Sequence, residues 1–120
     1  MKYLLLVYGE EEKIQAVDDF HCLAFDDSIR KSGHCIASEA LQPVATATTV
    51  RMRNGKTSVT DGPFAETKEC LAGFYMIDAR DLNEAISIAS RIPPAQIGSV
   101  EIRPIRPIRE APNADRKIGV

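Results

Sequence analysis

Two segments of this chain have no polar side. Lys2 to Tyr8 puts Tyr3, Leu5 and Val7 on one face of an extended strand and Leu4, Leu6 and Tyr8 on the other. Leu71 to Asp78 is likewise apolar at both alternating sets of positions. Strand side chains alternate between faces, so a strand with no polar set must be covered on both sides. Two helical patterns elsewhere in the chain can cover one sheet face. The other face needs a cover that this chain does not supply, and a second copy packed sheet against sheet is the economical answer.

The first helical pattern is expected over residues 13–32, with Ile14, Val17, His21, Ala24, Phe25 and Ser28 on its inner side. Asp19, Asp26 and Arg30 fall on the outer side, and Asp26/Arg30 and Asp27/Lys31 are spaced as i,i+4 ion pairs. Gly33 stands where a helix C′ residue belongs. A strand from His34 to Leu41 follows, with His34 expected to face solvent. Thr46–Arg53 and Lys56–Thr60 then flank Asn54-Gly55, the preferred dipeptide of a two-residue hairpin. After the 71–78 strand, Asp81 and Glu84 form a variant capping box. Leu82, Ala85, Ile86, Ala89 and Ile92 form the second helical stripe, which Pro93-Pro94 ends. Ser99 to Arg103 is the last strand, and Pro104 suits a sheet edge. The order β-α-β-β(β)-α-β predicts an α+β, ferredoxin-like antiparallel sheet with two helices on one face and an extra hairpin strand. Residues 1–109 read as one domain and 110–120 as a flexible tail.

Between the hairpin and the 71–78 strand lies Asp61-Gly62-Pro63-Phe64-Ala65-Glu66-Thr67-Lys68-Glu69. Asp-Gly-Pro forces a sharp change of direction, through the Asx side chain, the positive φ open to glycine and the fixed φ of proline. The following acid–hydroxyl–lysine–acid run exceeds what a turn requires. With Gly73-Phe74-Tyr75, this stretch resembles the signature of the YCII-related, or DGPF, family. The likeness extends to Met1-Lys2-Tyr3, Ala40-Leu41-Gln42-Pro43, Ala47-Thr48-Thr49-Val50 and Ile92-Pro93-Pro94-Ala95. The resemblance implies a dimeric α+β barrel. Members of the broader family resembled here have been taken as possible enzymes through a His–Asp pairing, with the histidine on the first helix, where His21 stands. DGPF-type domains further resemble ones found beside sigma factors of transcription initiation.

Asp61, Lys68 and His21 are the candidate catalytic residues, offering a base, a cation and a proton carrier. Glu66, Thr67 and Glu69 are candidate ligand-binding groups on the same loop. Each also has an ordinary structural role: Asp61 closing an Asx turn, Lys68 and Glu69 pairing on the surface or across a dimer, His21 satisfied in the core. Tyr3, Phe74 and Tyr75 could line a pocket or fill the core.

Composition narrows the function class. A net charge of −2, with scattered basic residues and no tryptophan, argues against direct nucleic-acid binding. Cys22, Cys35 and Cys70 are odd in number and widely spaced, which favours reduced thiols in a cytoplasmic protein over disulfides or zinc. Neither a metal-ligand spacing nor a cofactor fingerprint is present. Leu4–Val7 is too short for a signal peptide or a membrane span and reads as a strand. The expected partners are a second copy of the chain and a small-molecule ligand, with no cofactor, metal, nucleic acid or membrane. Three readings stand: a cofactor-free enzyme or binder of proton-transfer or lyase type, a dimerisation or regulatory module linked to sigma factors, and a purely structural dimer.

Overall fold

In the computed structural model, residues 1–108 are described, and the expected tail over 110–120 lies outside them. The chain runs β1 (Lys2–Gly9), α1 (Glu11–Gln15), α2 (Asp19–Lys31), β2 (Cys35–Ala40), β3 (Thr48–Arg53), β4 (Lys56–Asp61), β5 (Cys70–Asp78), α3 (Leu82–Ser90) and β6 (Ser99–Pro104). Short 3-10 turns cover Val44–Thr46 and Pro93–Gln96. Four strands form an antiparallel sheet in the order β2-β5-β1-β6, so the two strands without a polar side are the central pair. With helices after its first and third strands, the sheet is ferredoxin-like. Pro104 sits on the edge strand β6 opposite Tyr3, where its missing N–H breaks no interior ladder.

The helices cover one face of this sheet. Tyr3, Leu5 and Val7 of β1 and Ile77 of β5 are buried against Phe25 and Ile29 of α2 and Ala85, Ile88 and Ala89 of α3. Leu5, Ile29 and Ile77 lose all exposure, each worth about 1.5–3 kcal/mol relative to an exposed position. On the other face Leu6 stands opposite Phe74 and Leu4 opposite Met76, all only half-buried. No helix of the described residues lies over them.

Five expectations are corrected. The helix expected over 13–32 is two helices, because the Asp18 side chain accepts a hydrogen bond from the Phe20 N–H at 2.9 Å and starts α2 afresh. The inner side of α2 carries Cys22, Phe25, Asp26 and Ile29, one residue on from the expected stripe, and His21, Ala24 and Ser28 are exposed. In α3 the buried set is Ala85, Ile88 and Ala89, while Leu82 and Ile86 remain about half exposed at 49% and 48%. The β3–β4 hairpin turns at Asn54-Gly55, both with positive φ, but forms a sheet of its own and adds no strand to the main one. His34 is also not solvent-facing. Its ring is 28% exposed, with Nδ1 2.7 Å from the Ser32 hydroxyl and Nε2 3.4 Å from the Glu84 carboxylate, linking the end of α2 to the start of α3.

Candidate functional site

The capping pattern of α2 fixes its rotation, and that rotation brings Asp26 to the neighbouring strand β2. Asp26 Oδ1 accepts a hydrogen bond from the Ser38 hydroxyl at 2.6 Å, and Oδ2 accepts from Arg30 Nε at 2.9 Å. Arg30 Nη2 also donates to Ser38 Oγ at 3.2 Å, closing a three-membered ring. The Asp26/Arg30 spacing read from the sequence is thus a real ion pair, as is Asp27/Lys31 at 3.0 Å. The ring borders a cavity of about 530 Å³ between α1, α2 and the sheet. Its apolar walls include Val7, Ile14, Val17 and Leu23, and Cys22 and Tyr75 also line it. Tyr75 is braced edge-on by Phe25, with ring centroids 5.3 Å apart.

The electrostatics of the cleft follow from this packing. Burial raises the Asp26 carboxyl, but hydrogen bonds from Ser38 and Arg30 and the guanidinium charge outweigh it and hold the group below the usual carboxylate range. Burial, together with nearby Asp19 and Asp18, pushes the Cys22 thiol up, the opposite of a reactive thiolate. Tyr75 is pushed up to about 12, mainly by burial. At neutral pH the cleft therefore holds an ionised carboxylate, a guanidinium, a neutral thiol and a neutral phenol. Among the described residues, no three His, Cys, Asp or Glu side chains gather as they would around a metal ion.

The residues singled out in the sequence lie elsewhere. Asp61 ends β4, is exposed and pairs with Thr48 at the base of the hairpin. The turn after it is anchored by Gly62, whose N–H donates to the Ala47 carbonyl at 2.7 Å and whose carbonyl accepts from Thr49 Oγ1 at 2.8 Å. Lys68 is exposed and lies 3.8 Å from Glu10, which also binds Lys13 at 2.6 Å. The Lys13 hydrogen bond is the main reason the Glu10 carboxyl lies below its ordinary value. Glu69 accepts from the Ser99 hydroxyl at 2.9 Å, Thr67 donates to the Glu69 carbonyl at 2.7 Å, and Glu66 is exposed. His21 is 69% exposed, with Nδ1 3.8 Å from Asp18, and borders a separate open groove with Arg91 and Gln96. Neither that groove nor the cleft is lined by Asp61 or Lys68. Of the sequence candidates, Lys68 and Glu69 thus serve as links between elements. The Asp26–Arg30–Ser38 ring escapes the sequence reading because Asp26 falls on the outer side of the expected stripe. The run Cys22, Phe25, Asp26, Ile29 is the signal that could have found it.

A model of the YCII-related domain matches residues 1–109. The chain belongs to the YCII-related family. It is 49% identical over 67 residues to an uncharacterized protein of Rhizobium meliloti (strain 1021), a match covering 54% of each chain. It therefore spans about half the length of that relative. This YCII-related chain places the Asp26–Arg30–Ser38 ring beside α2, away from the loop that carries the Asp-Gly-Pro-Phe sequence.

Proposed function

We propose that this YCII-related chain is a homodimeric small-molecule-binding protein whose ligand occupies the cleft between α2 and the sheet. The carrying observation is the cavity of about 530 Å³ with apolar walls and one ordered polar edge, Asp26–Arg30–Ser38. Ligand sites have this character: mostly apolar, a few hundred Å³, with a small number of fixed polar groups. The ligand class that fits is a small, largely apolar molecule with a carbonyl or carboxylate, since the Arg30 guanidinium carries N–H groups beyond those the ring uses. The displaced ionisations of Asp26, Cys22 and Tyr75 all lead away from neutrality, where a general acid or base works best. Binding is therefore favoured over proton transfer in this cleft. The half-buried apolar face of Leu4, Leu6, Tyr8, Phe74 and Met76 supports the homodimer. The three free cysteines support a reducing compartment such as the cytoplasm.

A thermal-shift screen of small carbonyl and carboxylate compounds tests the reading on wild type, Asp26→Asn and Asp61→Ala. A compound that binds the native state raises Tm by mass action. The shift is expected to be lost in Asp26→Asn and kept in Asp61→Ala. The reverse pattern would move the site to the 61–69 loop and restore cofactor-free proton transfer by Asp61, Lys68 and His21, brought together by two chains.

A further inference from the structure

The β3–β4 hairpin is amphipathic and stands free. Its register pairs Val50 with Val59 and Met52 with Thr57 on one face, while Arg51 opposite Ser58 and Arg53 opposite Lys56 share the other. Such alternation is the pattern of a ribbon with one buried face. Yet Val50, Met52 and Val59 are 60%, 57% and 65% exposed. The hairpin is hydrogen-bonded to no strand of the main sheet. An isolated two-stranded hairpin is marginal in water, and its apolar face gains nothing while it is wet. The molecule's extents are 46 × 36 × 19 Å and its radius of gyration is 17.3 Å, against about 13 Å for a compact chain of this size.

We propose that this hairpin is a dimerisation arm, whose Val50, Met52 and Val59 face packs on a second copy of the chain beside the contact between the two open sheet faces. The inference rests on the homodimer proposed above and adds the element that completes its interface. Area selects this occupant. Four strands about 4.8 Å apart and about 20 Å long present a sheet face of roughly 400 Å², near half of the ~800 Å² per partner of a standard stable interface. The arm adds the exposed Val50, Met52 and Val59 on one ribbon face, and two-fold symmetry lets each copy both give and receive one.

The experiment combines light scattering with amide hydrogen exchange on the full chain, using wild type and the double variant Val50→Asp/Val59→Asp. Both residues lie outside the core, so the sheet and helices should keep their circular dichroism signature. Wild type is expected as a dimer at micromolar concentration, with amides of residues 48–61 protected there and exchanging freely on dilution to monomer. The double variant should weaken dimerisation about tenfold or more. A wild-type dimer left unchanged by the double variant would overturn the arm and leave the sheet-to-sheet dimer standing. Protection of 48–61 independent of concentration would also overturn it, since the arm would then fold onto its own chain. A monomeric wild type would remove the dimer reading itself.

Discussion

Asp26 shows how one residue can be read correctly in sequence and still be misplaced. Its i,i+4 partner Arg30 is legible from spacing, because helical geometry alone sets that contact. Its partner Ser38 is not, because that contact depends on how α2 lies against β2. Replacing Asp26 with Ala should leave Arg30 and Ser38 without their shared acceptor and cost about 1–2 kcal/mol, the range for a partly buried charge-assisted network; urea unfolding reads this directly. The pH dependence has a definite sign. The folded-state pKa lies below the ordinary 3.8, so the stability it contributes is fully present above that value and is lost as pH falls through the lower, folded one. The stability gap between wild type and Asp26→Asn should accordingly stay level from about pH 7 to about pH 5 and shrink toward about pH 3. A gap that instead closed between about pH 7 and about pH 5 would mean that Asp26 is not held ionised. At Gly62, φ is +103° with open space where a Cβ would stand, so the strain of a substitution is purely conformational. Gly62→Val should cost about 1 kcal/mol or more, and unchanged stability would contradict the required turn geometry.

The elements were more legible than their faces. Asp81 caps α3 through a hydrogen bond from the Glu84 N–H at 2.9 Å, and the Glu84 carboxylate accepts in turn from the Arg80 N–H, in keeping with the Asp81–Glu84 spacing. The phase of α2 is hard to read because Phe20 and Leu23 are apolar yet 70% and 67% exposed, while Asp26 faces inward. Composition points one way and the tertiary contact goes the other. Asp18 is the residue that breaks the long helix into two, so Asp18→Ala should cost about 1 kcal/mol and fray the start of α2, seen as faster amide exchange at Phe20 and His21. Gly98 matters for a different reason: a Cβ there would run into the Tyr8 carbonyl where β6 meets β1. Gly98→Ala should destabilise the fold more than Gly62→Ala does, because backbone on both sides would have to move; equal effects in a thermal melt would contradict that.

At the scale of the whole molecule, the ferredoxin-like order was legible because alternation, caps and turn residues agreed along the chain. The separation of the hairpin from the main sheet was not, since hairpin spacing and turn residues fix how β3 pairs with β4 but not whether either joins the larger sheet. The half-buried Leu4, Leu6, Phe74 and Met76 predict that Leu6→Asp shifts the species seen by light scattering from twice the 13.2 kDa chain mass to the chain mass itself. Occupation of the cleft is read by amide chemical shifts recorded while the protein is titrated with a compound that raises its Tm. Saturable shifts centred on Cys22, Asp26, Ser38 and Tyr75, with residues 61–69 unmoved, are the predicted result. Shifts centred on 61–69 with the α2 cleft silent would contradict it.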